Sequence, residues 1–434
     1  MNRNKTKKYK HMIKPGILHF KLIALTLIVS AMLTSCQTKD EPAWQKGNMH
    51  THTFWSDGDD FPESVAKWYK DNGYDFLAIT DHNTLLEGVR WKKFPAEHQA
   101  LEKYKRLFGE EWVETKPAEE EENIQVRLRP LDEFRDKFEV PDEFLLMSGN
   151  EITASHAVHM VAHHQDEVIP PAEGSADERA AMIRKMVERV AEYRQQSGRN
   201  VYPVLAHPNF QWAITAEMML KAENLRFFEV YNGHPSVKNE GNEYRASTER
   251  IWDIVLSKRL AAGDEKLLYG LATDDAHNYH SAGATPGRGW VMVRSAELTP
   301  ESILDAIDKG DFYSSTGVSL KNINFDGEKI EVEIKPEEGV EYTTEYIGTP
   351  SGFEKESESR FDDSGNEIDN TTRRYSDEIG KVLASSNDLQ SSYTFTGDEL
   401  YVRVRITSSA DQTDQITGEV TGKQRAWVQP VVPE

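Results

Sequence analysis

The sequence predicts a mixed α/β domain followed by a smaller antiparallel β domain. From about Gly47 to Gly317, short and nearly continuous apolar runs alternate with amphipathic segments, which is typical of buried parallel strands connected by helices. After Gly317 the apolar residues alternate with polar ones over strand-length stretches, as in antiparallel sheets with one solvated face. The length of 434 residues is sufficient for two domains.

Residues 1–35 are predicted to be a secretory signal peptide. Seven Lys and Arg residues and no acid precede an apolar run at residues 22–33, which is shorter than the roughly 20 residues of a membrane-spanning helix. The run leads into Leu33-Thr34-Ser35-Cys36, which resembles the bacterial lipobox, so we expect Cys36 to carry a lipid anchor. This predicts an outer-membrane lipoprotein of the cell envelope, on the periplasmic face or the cell surface, with residues 36–46 as a linker.

The apolar runs of the first domain are predicted to be its buried strands. They occupy residues 76–80, 144–147, 201–206, 227–231 and 267–273. Amphipathic helices are predicted at residues 61–72, 177–196 and 301–309. The alternation of the two kinds of segment predicts a sheet covered by helices.

Residues 92–142 interrupt this alternation. They are rich in Glu and Lys and include four consecutive glutamates at 119–122, so we predict a solvated helical insertion. A lid over the functional site is the alternative.

Residues 318–434 are predicted to form a β-sandwich-like domain. Two alternating stretches flank Asp326-Gly327, a dipeptide that favours a hairpin turn. Similar alternation recurs at 394–406 and 424–432.

The charge and the residue types exclude several functions. The formal net charge of −22 provides no cationic surface for nucleic-acid phosphates, so nucleic acid is not expected as a partner. Cys36 is the only cysteine, and the chain contains no G-x-S-x-G motif, so no serine or cysteine nucleophile is indicated.

Polar clusters follow the predicted strands, at the point where each strand ends. Their metal-binding residue types are histidine and carboxylate: His50, His52, Asp57, His82, Glu151, His159, His207, Asp275 and His277. Because the carboxyl ends of parallel strands meet on one face, we expect these side chains to converge although they lie more than 200 positions apart.

Neutral imidazole and carboxylate are ligands of Zn²⁺, Mn²⁺ and Fe²⁺. His50 and His52 are separated by one residue, so in an extended segment both point to the same side. Glu151 could bridge two ions. Two or three such ions can form a metal-bound hydroxide near neutral pH and stabilise the displacement at a phosphate ester.

These motifs resemble those of the PHP (polymerase and histidinol phosphatase) family in order and spacing. The resemblance covers roughly residues 46–317 and rests on the following segments: His50-Thr51-His52, Ser56-Asp57-Gly58, Ile79-Thr80-Asp81-His82-Asn83, Gly149-Asn150-Glu151-Ile152, Val158-His159-Met160-Val161, Leu205-Ala206-His207-Pro208 and Asp275-Ala276-His277. It implies a distorted seven-stranded β/α (TIM-like) barrel over residues 47–317 that holds two or three divalent metal ions.

The resemblance also implies a ligand set for each ion. His50, His52, Glu151 and Asp275 would hold the first ion. Glu151, His159 and His207 would hold the second. Asp57, His82 and His277 would hold the third, although Asp57 stands where some members have histidine. His156, His163 and His164 lie close to His159 in the sequence and are its alternatives.

Several further residues are weaker candidates. Arg288 follows the last motif and could hold an anionic substrate, or form a structural salt bridge. Asp81 and Asp274 adjoin the ligands and could orient imidazoles, or cap turns. Asn232 and His234 follow a strand and could line the pocket.

The sequence therefore predicts a metal-dependent hydrolase, a phosphoesterase of PHP type in an envelope lipoprotein subgroup. Its catalytic residues would include Glu151, Asp275 and Arg288, and its substrate would be a small anionic phosphate mono- or diester. Hydrolysis of carboxyl or carbamate esters or amides is the enzymatic alternative, since the same metals polarise a carbonyl. A non-catalytic surface lipoprotein that binds glycans or a partner is the other alternative.

Overall fold

The computed structural model describes Met1 and residues 42–120 and 122–433. The predicted signal peptide, Cys36 and most of the linker lie outside the described residues. From Pro42 onward the described residues form one compact unit, so the predicted boundary at 317/318 stays a prediction. None of the helices in the described part of the chain is both long and apolar enough to cross a membrane.

The helices lie mainly in the first three quarters of the described chain. They are α1 (Pro62–Asp71), α2 (Gln99–Phe108), α3 (Leu131–Phe138), α4 (Arg179–Ser197), α5 (Ala216–Leu220), α6 (Thr248–Leu260) and α7 (Pro300–Asp308), with short 3₁₀ turns at Glu110–Trp112 and Ala176–Glu178. The predicted helices at 61–72, 177–196 and 301–309 correspond to α1, α4 and α7.

The strands of the α/β region alternate with these helices. They are β1 (Ala43–Asn48), β2 (Phe76–Ile79), β3 (Arg90–Pro95), β4 (Thr115–Pro117), β5 (Asn123–Leu128), β6 (Leu145–Ala154), β7 (Val158–His163), β8 (Val204–Leu205), β9 (Phe227–Asn232), β10 (Tyr269–Thr273), β11 (Trp290–Ser295) and β12 (Phe312–Ser315).

The remaining strands form the C-terminal region. They are β13 (Leu320–Phe325), β14 (Lys329–Ile334), β15 (Tyr342–Pro350), β16 (Ser357–Glu358), β17 (Arg374–Tyr375), β18 (Lys381–Ser386), β19 (Gln390–Thr394), β20 (Glu399–Thr413) and β21 (Val420–Val431). Strands β13 and β14 pair as the predicted antiparallel hairpin around Asp326-Gly327.

A large sheet of 13 strands organises the molecule, in the order β10-β9-β8-β7-β6-β2-β1-β11-β12-β21-β20-β15-β18. The seven strands from β10 to β1 pair in parallel, except that β7 is antiparallel to both of its neighbours. A parallel bridge between Thr51 and Ala276 then joins the chain just after β1 to the chain just after β10. The two outer strands of this seven-stranded group therefore meet. The predicted mixed α/β fold is confirmed.

Apolar side chains of these strands fill the space between them and their covering helices. Phe76, Ala78, Leu271 and Val293 are fully buried in one such cluster. Burial on both faces explains why these strands appear in the sequence as continuous apolar runs. Helices α4 and α6 cover the sheet with their own buried apolar faces.

The segment at residues 92–142 differs from the solvated helical insertion that was predicted. It contains α2 and α3 but also β4 and β5, and β5 pairs with β3 on one side and with β4 on the other in a separate three-stranded sheet. Val126 and Leu128 alternate with polar residues in β5 and are fully buried. The high charge of the surrounding sequence made this short alternation of polar and apolar residues difficult to recognise.

The C-terminal region continues the large sheet. Strand β21 pairs with β12 of the α/β region on one side and with β20 on the other, both antiparallel. As a result, the long hairpin of β20 and β21 lies beside the loops that follow β9 and β10. Its turn contacts one of them through Asp414, which accepts a hydrogen bond from Thr285 at 2.5 Å.

Candidate metal centre

The predicted ligands converge at the edge of the seven-stranded group where the parallel strands end. His50 and His52 follow β1, and His82 follows β2. His159 lies at the beginning of β7, because β7 runs antiparallel and therefore starts at the edge where its neighbours end. The remaining ligands lie in or just after the other strands: Glu151 in β6, His207 after β8, and Asp275 and His277 after β10.

The first group of ligands surrounds the Oε2 atom of Glu151. The Nε2 atoms of His50 and His52 each lie 3.5 Å from this oxygen. Asp275 closes the group, with its Oδ1 atom 3.3 Å from His50 Nε2 and 3.1 Å from His52 Nε2. His50, His52 and Glu151 all have an exposure of 1% or less.

The second group surrounds the other oxygen of the same carboxylate. Glu151 Oε1 lies 2.9 Å from His159 Nδ1 and 3.0 Å from His207 Nε2. The two oxygens of Glu151 therefore face different sets of histidines. A carboxylate in this position can bridge two ions.

The third group combines His52 with Asp57, His82 and His277, whose ligand atoms all lie within 4.8 Å of one another. Asp57 Oδ1 is 3.5 Å from His82 Nε2 and 3.4 Å from His277 Nε2. The side chain of Asp57 is 59% exposed, so this group lies at the solvent side of the centre.

Unpartnered buried atoms show that the donor set fits a metal. His50 Nε2, Glu151 Oε2 and His207 Nδ1 are buried without a hydrogen-bond partner. In the described part of the chain, no Lys or Arg forms an ion pair with Glu151 or Asp275. Burying a carboxylate without a counter-charge is costly, and divalent cations coordinated by imidazole and carboxylate would supply that charge.

The electrostatics keep Glu151, Asp275 and His52 in forms that can bind a metal, whereas the neighbouring carboxylates raise the pKa of the histidines His50, His207 and His277, despite their burial. Burial alone would raise the pKa of Glu151, but the imidazoles of His159 and His50 hold it well below its usual range. The pKa of Asp275 is likewise held well below its usual range, since His50 and His52 outweigh the effect of burial. Burial and the neighbouring His277 lower the pKa of His52 to about 3, so its imidazole stays neutral.

Glu229 is a functional residue that the sequence reasoning missed. It is buried in β9, and its Oε1 atom lies 2.7 Å from His50 Nδ1. Its Oε2 atom accepts hydrogen bonds from the backbone N–H of His207 at 2.7 Å and from Asn232 Nδ2 at 2.8 Å. Glu229 thus orients the ligands of two groups. The signal was a single acidic residue inside the apolar run Phe-Phe-Glu-Val-Tyr.

Asp81 and Asp274 act as turn caps, which was one of their two expected roles. Asp81 accepts hydrogen bonds from Thr53 N–H at 2.8 Å and from Ser56 Oγ at 2.5 Å. Asp274 accepts hydrogen bonds from three consecutive backbone N–H groups, at positions 287–289. Among the described residues, neither carboxylate forms a hydrogen bond with a histidine.

The histidines close to His159 in the sequence lie elsewhere. His163 is buried, and its Nε2 atom lies 2.7 Å from the carbonyl oxygen of Met49. His164 faces Glu301 at 3.4 Å, and His156 is exposed. The arrangement favours His159 over its three neighbours as a ligand.

Arg288 does not join the ligand groups. Its guanidinium pairs with Asp414 and donates hydrogen bonds to Thr285 Oγ1 at 2.9 Å and to the carbonyl oxygen of Gly233 at 3.0 Å. The structure therefore contains the salt bridge that was its alternative role. Contact of Arg288 with substrate stays a prediction.

Asn232 and His234 line a cavity of about 560 Å³ beside the centre, as expected. Asn232 Nδ2 donates a hydrogen bond to Asp275 Oδ2 at 3.1 Å. The His234 ring lies 5.6 Å from the ring of His277, measured between centroids. The cavity therefore adjoins the metal centre.

Fold and site together define a mixed α/β protein with a candidate centre for more than one metal ion. No family model and no curated protein matches the chain. A similar solved structure is a two-domain protein from Bacteroides vulgatus that contains a predicted PHP-like metal-dependent phosphoesterase; identity is 13%, coverage is 91% of this chain and 96% of that one, and the TM-score is 0.38. Another is a candidate metal-dependent phosphoesterase from Bifidobacterium adolescentis, at 16% identity, coverage of 57% of this chain and 91% of that one, and a TM-score of 0.25.

Proposed function

We propose that this protein is a PHP-type metal-dependent hydrolase that cleaves a phosphate mono- or diester at a site for two or three ions. The observation that carries the proposal is the position of Glu151, whose Oε2 atom faces His50 and His52 while its Oε1 atom faces His159 and His207. In this position Glu151 would hold two divalent ions, one with each oxygen. Two adjacent ions suit an in-line displacement at phosphorus.

We further propose that the seven strands from β10 to β1 form the distorted barrel of this family. The support is the contact between its outer strands. His52 N–H donates to the carbonyl oxygen of Ala276 at 3.0 Å, and Asp275 N–H donates to that of His50 at 3.0 Å. These two bonds hold the segments that follow β1 and β10 side by side, and both segments carry predicted ligands.

The ligand groups assign the residues that would hold each ion. The sets are His50, His52, Glu151 and Asp275 for one ion, Glu151, His159 and His207 for another, and Asp57, His82, His277 and His52 around a third. When bound, such ions activate a water molecule and polarise the phosphoryl oxygens of the substrate.

The protein side chains orient this chemistry. Glu229 holds His50 through Nδ1, so that His50 Nε2 faces the centre. Asn232 holds Asp275 through Oδ2 and leaves Oδ1 beside His52. Asp57 is the most exposed of the ligands, so substrate would approach from its side of the centre.

Elemental analysis combined with a substrate panel tests the proposal. We expect the purified protein to contain about two or more equivalents of a divalent metal, and to hydrolyse phosphate mono- or diesters with added Mn²⁺ or Zn²⁺. His52→Ala should lose metal and turnover. The matched control is His164→Asn, which removes a histidine outside the centre at a left-handed position that asparagine tolerates.

The outcomes separate the candidate functions. Turnover of carboxyl esters or amides with no turnover of phosphate esters would favour the alternative hydrolase. Full metal content and full turnover in His52→Ala would show that the assigned centre is wrong. Absence of any bound metal in the wild-type protein would favour a non-catalytic binding protein.

We also propose that the protein is a lipid-anchored protein of the cell envelope. The support is the sequence around Cys36 alone. Labelled palmitate should be incorporated by the wild-type protein and not by Cys36→Ser. Equal labelling of both proteins would contradict the proposal.

A further inference from the structure

The cavity beside the metal centre lies between the loop that follows β9 and the hairpin of β20 and β21. It has a volume of about 560 Å³. Its inner end is marked by Asn232, which contacts Asp275, and by His234, which lies beside His277. A molecule bound at the centre could therefore extend into this cavity.

Strand β21 presents one face to the cavity. Thr421, Lys423, Arg425 and Trp427 all line it. These residues are spaced by two, and side chains at this spacing in a strand point to the same side. The cavity therefore has a regular wall that carries two cations side by side.

The charge of the cavity is opposite to that of the chain. Lys238 and Arg288 join Lys423 and Arg425 among the lining residues, and Glu240 is the only acid among them. The whole chain, in contrast, has a formal net charge of −22. A local excess of cations in an acidic protein attracts an anion to that place in particular.

Three of these cations are available to a ligand. In the described part of the chain, Lys238 has no carboxylate within 4.0 Å, and its ammonium has only the carbonyl oxygen of Pro235 as a partner, at 3.4 Å. Lys423 pairs with Asp411 at 2.6 Å, but both side chains are about half exposed.

Arg425 pairs with Glu240 at 2.5 Å, and the side chain of Glu240 is 72% exposed. The side chain of Arg425 is 26% exposed, so only the carboxylate of this pair lies mainly in solvent. An exposed carboxylate of this kind contributes about 1 kcal/mol or less, and a bound anion can replace it. Arg288 differs, because Asp414, which is 1% exposed, already neutralises it.

We propose that this cavity is a substrate pocket that binds a second anionic group, a phosphate or a carboxylate, on the non-reacting part of the phosphoester. This rests on the proposed function, since the scissile ester would lie at the metal centre. Lys238, Lys423 and Arg425 would hold the second anion. The pocket thus selects organic phosphates with two anionic groups over those with one.

Matched substrates test the pocket in the full, metal-loaded protein. We expect kcat/KM for fructose 1,6-bisphosphate to exceed that for fructose 6-phosphate by about tenfold or more, since charge-assisted hydrogen bonds contribute about that much. The double variant Lys238→Gln, Arg425→Gln should lose most of this preference and keep its metal content. Lys335→Gln removes an exposed lysine that does not line the cavity and should keep the wild-type preference. Equal kcat/KM values for the two sugars in the wild type, or an unchanged preference in the double variant, would overturn the proposal.

A binding measurement separates this pocket from the proposed function. If neither sugar phosphate nor any other phosphate ester is hydrolysed, the phosphoesterase assignment fails, and calorimetric titration of the metal-free protein with fructose 1,6-bisphosphate tests the pocket by itself. Binding that weakens about tenfold or more in the double variant supports the pocket. No binding, or equal binding by wild type and double variant, contradicts it.

Discussion

The metal centre and a network around Arg403 both bury charged side chains in the described part of the molecule. In the network, Arg403 donates to both oxygens of Asp253 at 2.7 Å, and its Nη1 atom lies 3.0 Å from Glu249. Tyr401 donates a further hydrogen bond to Asp253 at 2.7 Å. These contacts connect α6 of the α/β region to β20 of the C-terminal region.

The two clusters differ in where their positive charge comes from. The network contains its own cation, Arg403, and both oxygens of Asp253 accept hydrogen bonds within it. At the metal centre, Glu151 and Asp275 have imidazoles and Asn232 as neighbours but no arginine or lysine among the described residues, and buried atoms of His50 and His207 have no partner. Because a buried charge must be compensated, the carboxylates of the network are paired with Arg403, whereas those of the centre would require cations from solution. The comparison teaches that buried carboxylates facing several imidazoles and no arginine or lysine mark the candidate metal centre, whereas a buried carboxylate paired with an arginine marks a structural connection.

The largest effect is expected from removing the bridging charge of the metal centre. Glu151→Gln keeps the shape of the side chain but removes the carboxylate that two ligand groups share. Metal content should fall, and kcat/KM should fall about 10³-fold or more, because metal ions supply several kcal/mol of transition-state stabilisation. Inductively coupled plasma analysis and phosphatase assays measure both quantities.

A control for this variant is Glu143→Gln, which changes an exposed glutamate outside the centre. It should match the wild type in metal content and rate. Normal metal content in Glu151→Gln would remove Glu151 from the ligand set.

The network should show the reverse pattern, with stability lost and metal retained. Asp253→Asn leaves Arg403 buried beside only one carboxylate, Glu249. We expect the free energy of unfolding to fall by about 3 kcal/mol, because removing one partner leaves a buried charge uncompensated. Urea unfolding measures the loss, and metal content should stay at the wild-type value.

Asp71→Asn is the matched control for the network. Asp71 pairs with Lys67 at 2.9 Å on the surface of α1, where both side chains are more than one third exposed. Such a pair contributes at most about 1 kcal/mol. Equal stability losses in Asp253→Asn and Asp71→Asn would show that the network contributes no more than a surface pair.

A smaller effect is expected from Glu229, which touches the ligands without belonging to any ligand group. Glu229→Gln weakens the contact that orients His50. Metal affinity should fall about 10- to 100-fold, the usual effect of removing a partner of a metal-bound histidine. Calorimetric titration with Mn²⁺ measures it, and excess Mn²⁺ should restore turnover. Loss of turnover that excess metal does not restore would indicate a different role for Glu229.

The site could be predicted from the sequence because each strand ends in a local motif. His207 directly follows an apolar run, and His82 follows one after a single intervening residue. Parallel strands bring the residues at their carboxyl ends together, so these positions could be predicted from the local sequence alone. Glu229 could not be assigned this way, because its partners His50 and Asn232 depend on the register between strands that are distant in the sequence. For the same reason the antiparallel direction of β7 was not foreseen, although His159 was.

The structures of the C-terminal region and of the segment at 92–142 could likewise be predicted only in part. Alternation predicted the β-strands after Gly317, but not that β21 pairs with β12 and extends the large sheet. In the segment at 92–142, the high charge indicated solvation, whereas the structure buries Tyr104 and Val126 against the core that also contains α1. The predicted solvation therefore holds only for the outer face of this segment.

Glu63 is a third kind of buried carboxyl, and it lies where this segment packs on α1. Its Oε1 atom accepts hydrogen bonds from Tyr104 OH at 2.5 Å and from Trp112 Nε1 at 3.1 Å, and its Oε2 atom has no partner. Among the described residues it has no ion-pair partner and belongs to no metal-ligand group. Burial raises the pKa of Glu63 to about 7, which its neutral hydrogen-bond donors only partly oppose.

The smallest expected effect is a pH dependence of stability caused by Glu63. Because its pKa in the folded protein, about 7, exceeds the ordinary 4.5, the folded protein keeps a proton that the unfolded chain releases. The stabilisation is complete below the ordinary pKa and is lost as the pH rises through the folded one. Relative to Glu63→Gln, the wild type should lose up to about 1.4 kcal/mol per pH unit in this interval. Urea unfolding between pH 5 and 7 measures the difference, and Glu143→Gln is expected to follow the wild type. Parallel curves for wild type and Glu63→Gln would contradict the prediction, because they would show that this carboxyl is ionised in the folded protein.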